Sequence, residues 1–430
     1  MSKTPYLSVV VAARNDNHGG NMLRRMQIFV NGVLEQCRRY QLDAELIIVE
    51  WNPPTDNPPL AEALSWNISD SPCTVRIIEV SSEIHQRLNY SQSLPLFQMI
   101  AKNVGIRRAK GEFVLATNID LLFSDELFSF LASRQMKVGK IYRLDRYDVR
   151  SEVPLEAPLE QQLEYCQHSI IRICGKNGIE ELTLIPPPEE EPKQEELATA
   201  IEIAPTQLQP KWYRKIPQPA ISRLALAKQL YRRLLPTEVR DFILRILPKD
   251  FTSWLVEQKL LTVQTLPPPP ALEELEPPQE ETPAPPLWQY PQLHTNACGD
   301  FTLMSRMDWF AIRGYPEWEI FSFHLDSVLM YVAHYAGIEE KILEDPMRMY
   351  HIEHASGWTP DTERTQTLNR RLASLKIPQL SFEQFDALVK LMHQLNKPII
   401  FNDENWGMVQ ETLEETTHQN LDQLLPSKQG

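Results

Sequence analysis

The chain has 430 residues, 42% of them hydrophobic, which is enough for two domains with a buried core. A formal net charge of −14 excludes broad nucleic-acid binding, because that needs a positive field over one face. Five cysteines without C-x-x-C spacing exclude a zinc ribbon and a secreted disulfide framework and point to a reducing compartment.

The first elements alternate between strand and helix signals. Leu7–Ala13 is an apolar, β-branched run, and 21–40 carries Leu23, Met26, Val30, Val33, Leu34 and Cys37 at helical spacing. Leu46–Val49 reads as a second buried strand, ended by Glu50 and the turn-rich WNPPTDNPP, and Val75–Val80 as a third. A helix over 96–109 leads through Gly111 into the apolar strand Phe113–Ala116, whose C-terminal end carries Asn118 and Asp120. Lys140–Leu144 adds another strand. This alternation predicts βαβ units and a mostly parallel sheet flanked by helices, with ligands at the carboxyl ends of the strands.

Composition changes near Lys176. More than half of the 35 prolines fall between Pro186 and Pro291, so an insertion over 176–292 is expected to interrupt the α/β domain. It contains a helical hairpin signal at about 219–262, where Arg223, Lys228, Arg232 and Arg233 alternate with leucines and Thr237 heads an amphipathic run. A helix pair packed on the main domain is the favoured reading of this hairpin. The other is peripheral contact with an anionic membrane. Globular character returns over 293–360, and 361–430 is expected to form a helical C-terminal appendage that starts with a capping box at Ser381 and Gln384. No stretch approaches 18 apolar residues and the N-terminal run is too short for a signal peptide, so a cytoplasmic location is expected, with the inner membrane surface as the variant.

Two common motifs are absent. Neither G-x-G-x-x-G after the first strand nor G-x-x-x-x-G-K-[ST] occurs, which argues against a dinucleotide dehydrogenase and a P-loop NTPase. His18-Gly19-Gly20 is similar to a hydrolase oxyanion loop, but without G-x-S-x-G that reading fails.

The segments SVVVAARND (8–16), ELIIVEWNPP (45–54), AKNVGIRRAKGEFVLATNID (101–120), CGDFTLMSRMDWFAIRGYPEW (298–318) and HLDSVL (324–329) resemble the family 2-like glycosyltransferases with the GT-A fold, the later ones their galactosyltransferase-type C-terminal half. The resemblance covers roughly 1–150 and 293–360. It implies a GT-A-type Rossmann-like sheet whose nucleotide-sugar half is 1–175 and whose acceptor-side half is 293–360. The implied activity moves a sugar from a nucleotide-sugar donor, a UDP-sugar first, to a glycan, lipid or small-molecule acceptor, with inversion and a divalent metal. Three departures stand out: WNPP follows Glu50, Asn118 replaces the first carboxylate of D-x-D, and more than 100 residues separate the two halves.

What the resemblance implies for residues is specific. Ala13, Arg14, Asn15, Glu50, Lys102 and Asn103 are expected to contact the nucleotide, and Asp120 with Asn118 to hold Mg2+ or Mn2+ against the diphosphate. An Asx turn or helix cap is the plain alternative for the Asn and Asp. His351 and His354 are the second pair of metal candidates, although a continuous strand would point them to opposite faces. Asp326, in the first turn of a helix through Val328, Leu329 and Val332, is the expected general base, with Asp300 as its competitor. Arg143, Asp145, Arg146 and Asp148 are read as a solvated ion-pair face more than as an acceptor site. Trp309, Tyr315, Trp318 and Phe321 are read mostly as core. A non-catalytic binding or scaffolding protein on the same fold is the alternative function.

Overall fold

The computed structural model describes residues 4–66, 70–182, 290–354 and 362–417. The helical hairpin expected at about 219–262 lies outside them. The first half follows the expected alternation: β1 (Leu7–Ala13), α1 (Met22–Arg39), β2 (Ala44–Trp51), α2 (Leu60–Ala63), β3 (Cys73–Val80), α3 (Ser82–His85), α4 (Gln98–Arg108) and β4 (Phe113–Thr117). Every residue of β1, β2 and β4 is buried, as a strand covered on both faces requires.

Next come β5 (Leu121–Phe123), α5 (Asp125–Ala132), β6 (Lys140–Arg143), β7 (Arg146–Val149), α6 (Leu159–His168), β8 (Ile170–Gly175) and β9 (Gly178–Glu181). From residue 290 onward, β10 (Phe301–Ser305), α7 (Arg306–Ile312), α8 (Leu325–Tyr335), β11 (Glu339–Ile342), β12 (Met349–Ile352), α9 (Thr362–Ser374), α10 (Phe382–Leu395) and β13 (Glu414–Thr417) complete the described elements. The capping box at Ser381 forms as expected, with Gln384 reciprocating.

Among the described residues the main sheet has eight strands in the order β11-β6-β10-β4-β1-β2-β3-β13. Strands β3, β2, β1 and β4 run parallel, while β10 is antiparallel to both β4 and β6. Strand order therefore reverses at β1, which pairs β2 on one side and β4 on the other. A crevice opens at the carboxyl ends flanking such a reversal. Helix α1 and α5 cover one face of this sheet, and α4, α7, α8 and α10 the other.

A second sheet, with five strands among the described residues in the order β5-β12-β7-β8-β9, is not legible from periodicity. Its short strands lie below the length at which alternation identifies a strand. The C-terminal region also departs from a purely helical appendage, because β13 returns to pair antiparallel with the edge strand β3. That pairing covers a row of backbone donors and acceptors that would otherwise be open. Among the described residues no helix is long and apolar enough to cross a membrane.

Candidate metal centre

The segment Asn118-Ile119-Asp120 is the crossing point between the two sheets. It leaves β4 of the first and enters β5 of the second, where Leu121 pairs with His351 of β12. Ile352 N–H donates to the Asp120 carbonyl at 2.9 Å, so the backbone itself fixes Asp120 beside the end of β12. On the other side of β12, His351 is in parallel register with Asp148 of β7.

This pairing gathers one carboxylate and two imidazoles. His354 Nε2 lies 3.0 Å and His351 Nε2 3.9 Å from Asp120 Oδ2. One ligand atom from each of Asp120, His351 and His354 falls within 4.8 Å of the others. The expectation that the two histidines diverge is corrected here. Strand β12 stops at Ile352, and the chain leaves extended pairing at Glu353, so alternation no longer governs where His354 points.

Support comes from below. His351 Nδ1 sits 3.1 Å from Asp148 Oδ1, and Asp148, fully buried, takes ion pairs of 2.7 Å from Arg146 and Arg172. A carboxylate on one ring nitrogen leaves the other to face a cation. Burial would raise the Asp120 carboxyl, but the His354 hydrogen bond and the charges of His351, His354 and Arg25 outweigh it and hold it well below the usual range. Burial likewise opposes protonation of His351, and its hydrogen bond to Asp148 with the nearby Asp120 charge raises it on balance. Asp120 Oδ1 is buried with no hydrogen-bond partner. A carboxylate with one oxygen against two imidazoles and the other left orphaned fits a divalent ion. Asp148, His351 and Glu353 form a second close group, but Asp148 is already committed to two arginines.

Asn118 does not join the group. Its Nδ2 donates to Asp300 Oδ1 and its Oδ1 accepts from Gln98 Nε2 at 3.0 Å, so both ends of the amide are engaged in protein contacts. Asp300 is locked as well, with its other oxygen 2.7 Å from Arg146 Nη1. Asp326 sits in the first turn of α8 as expected, one oxygen accepting from the Ser327 N–H at 2.8 Å and the other close against Gly299. Lys102 is fully buried and donates to the Gly299 carbonyl at 2.6 Å. Burial pushes its ammonium down to about 8, while the carboxylates of Asp300, Asp326 and Asp120 pull upward.

The other expected nucleotide contacts have local partners. Asn103 donates to the Tyr315 carbonyl and accepts from the Tyr315 N–H, clipping α4 to the loop after α7. Both Glu50 oxygens accept from the Leu60 N–H at 3.0 Å, capping α2, and burial raises this carboxyl to about 7. Ala13, Arg14 and Asn15 do lie at the carboxyl end of β1; Arg14 donates to the Asn52 carbonyl and Asn15 to the Pro58 carbonyl, both at 2.8 Å. Trp309 and Tyr315 are core, and Trp318 and Phe321 pack partly buried against it.

Sequence reasoning missed the support layer. Arg143, Arg146 and Asp148 are buried, so the ion-pair face read as solvated is in fact interior. Dense alternating charge looks the same in either setting until the pairing of β7 is known. Arg25 was also missed. It is buried on α1 and donates to the carbonyls of His18 and Gly20, and its position within the stripe Met22, Met26, Phe29 was the available signal. No protein-family model and no curated protein matches this chain, so a functional reading rests on the geometry above.

Proposed function

We propose that this chain is a GT-A-type glycosyltransferase that transfers a sugar from a nucleotide-sugar donor, a UDP-sugar first, to an acceptor hydroxyl. The observation that carries the reading is the meeting of Asp120, His351 and His354 at the carboxyl end of β4, beside the reversal of strand order at β1. Open α/β sheets bind phosphorylated ligands at such a point.

Asp120, His351 and His354 would hold Mn2+ or Mg2+. When bound, the ion supplies Lewis-acid neutralisation of the charge that develops on a nucleoside diphosphate leaving group. Asp148 orients His351 through Nδ1. Asp326 takes the acceptor hydroxyl proton as general base, since Asp300 has both oxygens occupied by Asn118 and Arg146. Lys102, buried and donating to the Gly299 carbonyl, is a cation on which the charges of all three carboxylates act.

A panel of UDP- and GDP-sugars with Mn2+ tests this. Release of nucleoside diphosphate that Asp120→Ala abolishes supports the reading, and a panel with neither turnover nor metal-dependent binding sinks it. Nucleotide-dependent thermal stabilisation without turnover would instead favour a non-catalytic binding protein.

A further inference from the structure

The loop between β1 and α1 brings one more imidazole to the mouth of this centre. His18 is exposed, and its ring centroid lies 6.5 Å from that of His354. Among the described residues its ring makes no hydrogen bond. It is close enough to Asp120 and His354 to feel both charges.

The loop that carries it is shaped and anchored. Asn17, Gly19, Gly20 and Asn21 all adopt positive φ, between 51° and 77°. Asp16 accepts from the His18 N–H at 3.1 Å, and the buried Arg25 guanidinium holds the carbonyls of His18 and Gly20 from beneath. The backbone is therefore pinned on both sides of His18 while its ring is left unengaged.

Ring spacing sets the scale. With a metal–nitrogen bond of about 2 Å, two imidazoles on one tetrahedral ion have ring centres about 5 Å apart. The rings of His351 and His354 are 5.2 Å apart, which already matches. His18 at 6.5 Å from His354 lies outside the close group, and a movement of about 1 Å brings it to that spacing from His354, within the range of an exposed side chain.

We infer that His18 is a third imidazole ligand of the Asp120, His351 and His354 centre, making it a site of one carboxylate and three imidazoles that selects a borderline transition ion such as Co2+, Zn2+ or Mn2+ over Mg2+. The inference rests on the metal reading above and sharpens it. Nitrogen-rich donor sets favour these ions, whereas Mg2+ wants oxygen and keeps its water. Asp120 Oδ1, buried and unpartnered, is the single anionic donor such a site needs. A nucleoside diphosphate entering the crevice would compete with His18 for the outermost position, because His18 alone of the four is exposed.

The test uses Co2+ alone as probe on chelator-treated full-length protein, read by visible absorption and by titration. Wild type is expected to bind one Co2+ tightly, with no displacement by millimolar Mg2+. His18→Ala should weaken binding at least about tenfold and alter the absorption band, with the metal-free melting temperature unchanged because the ring supports nothing else. Asp120→Ala should abolish binding. If His18→Ala matches wild type in affinity and spectrum while Asp120→Ala binds nothing, the His18 inference falls and the three-residue centre survives. Ready displacement of Co2+ by Mg2+ overturns the selectivity. Absence of Co2+ binding to wild type overturns both this inference and the metal reading.

Discussion

Asp148 and His351 face each other across the parallel pair β7 and β12, with Asp148 Oδ1 3.1 Å from His351 Nδ1. The contact fixes which imidazole nitrogen is turned toward Asp120. It also links the centre to a buried ion-pair layer, since Asp148 is the shared partner of Arg146 and Arg172.

Two substitutions at Asp148 should therefore separate orientation from stability. Asp148→Asn keeps the shape and one acceptor oxygen and is expected to lower metal affinity about 10–100-fold with a modest loss of stability. Asp148→Ala removes one carboxylate from each of two nearly buried guanidinium groups, which keep Asp300 and Glu181, and should cost about 1–3 kcal/mol in urea denaturation. Equal metal affinity in wild type and Asp148→Asn would show that the contact does not tune the centre.

The glycines of the block at 101–120 are explained by close packing. A Cβ at Gly111 would lie 2.6 Å from both the backbone nitrogen and Oγ of Ser8, and one at Gly105 would strike Val10 and Val49 where α4 rests on the sheet. Gly111→Ala and Gly105→Ala are each expected to destabilise by about 1–3 kcal/mol, Gly111→Ala by more because backbone cannot step aside as a side chain can. Denaturant midpoints check the order.

Glu50 should impose a pH dependence on stability. Its carboxyl is raised from the ordinary 4.5 to about 7 by burial, against the Leu60 N–H and with help from Glu79. Between those values the folded state binds more protons than the unfolded state, so stability falls as pH rises from about 4.5 through 7 and then levels. The span is on the order of 3 kcal/mol. Glu50→Gln, which preserves an acceptor for Leu60, should flatten that slope in melts at pH 5, 6 and 7.

Arg108, at the end of α4, serves the C-terminal segment. It donates to the carbonyls of Gly407, Met408 and Glu411 at 2.6, 2.7 and 3.2 Å, just before β13 joins the sheet. Arg108→Ala is expected to speed amide exchange in β13 at least about tenfold, some 1.4 kcal/mol of local stability, with β1 and β4 protection unchanged. Unchanged exchange in β13 would mean that the Arg76–Glu415 pair at 2.7 Å suffices to hold it.

By itself the sequence determined the layered α/β character and the place of Asp120. Apolar, β-branched runs buried on both faces and helices with one apolar stripe leave little freedom about which element forms, and Gly111 with Phe113–Thr117 puts Asp120 just past a strand end. The capping box at Ser381 is equally local. Tertiary structure alone decided what stands beside Asp120. Strands β5, β7 and β12 are too short for periodicity to identify, and their register is a long-range pairing that no local pattern encodes. That register turned apparent surface charges at Arg146 and Asp148 into interior ones. The end of β12 at Ile352 freed His354 from strand alternation, which is why two histidines read as diverging converge on one carboxylate.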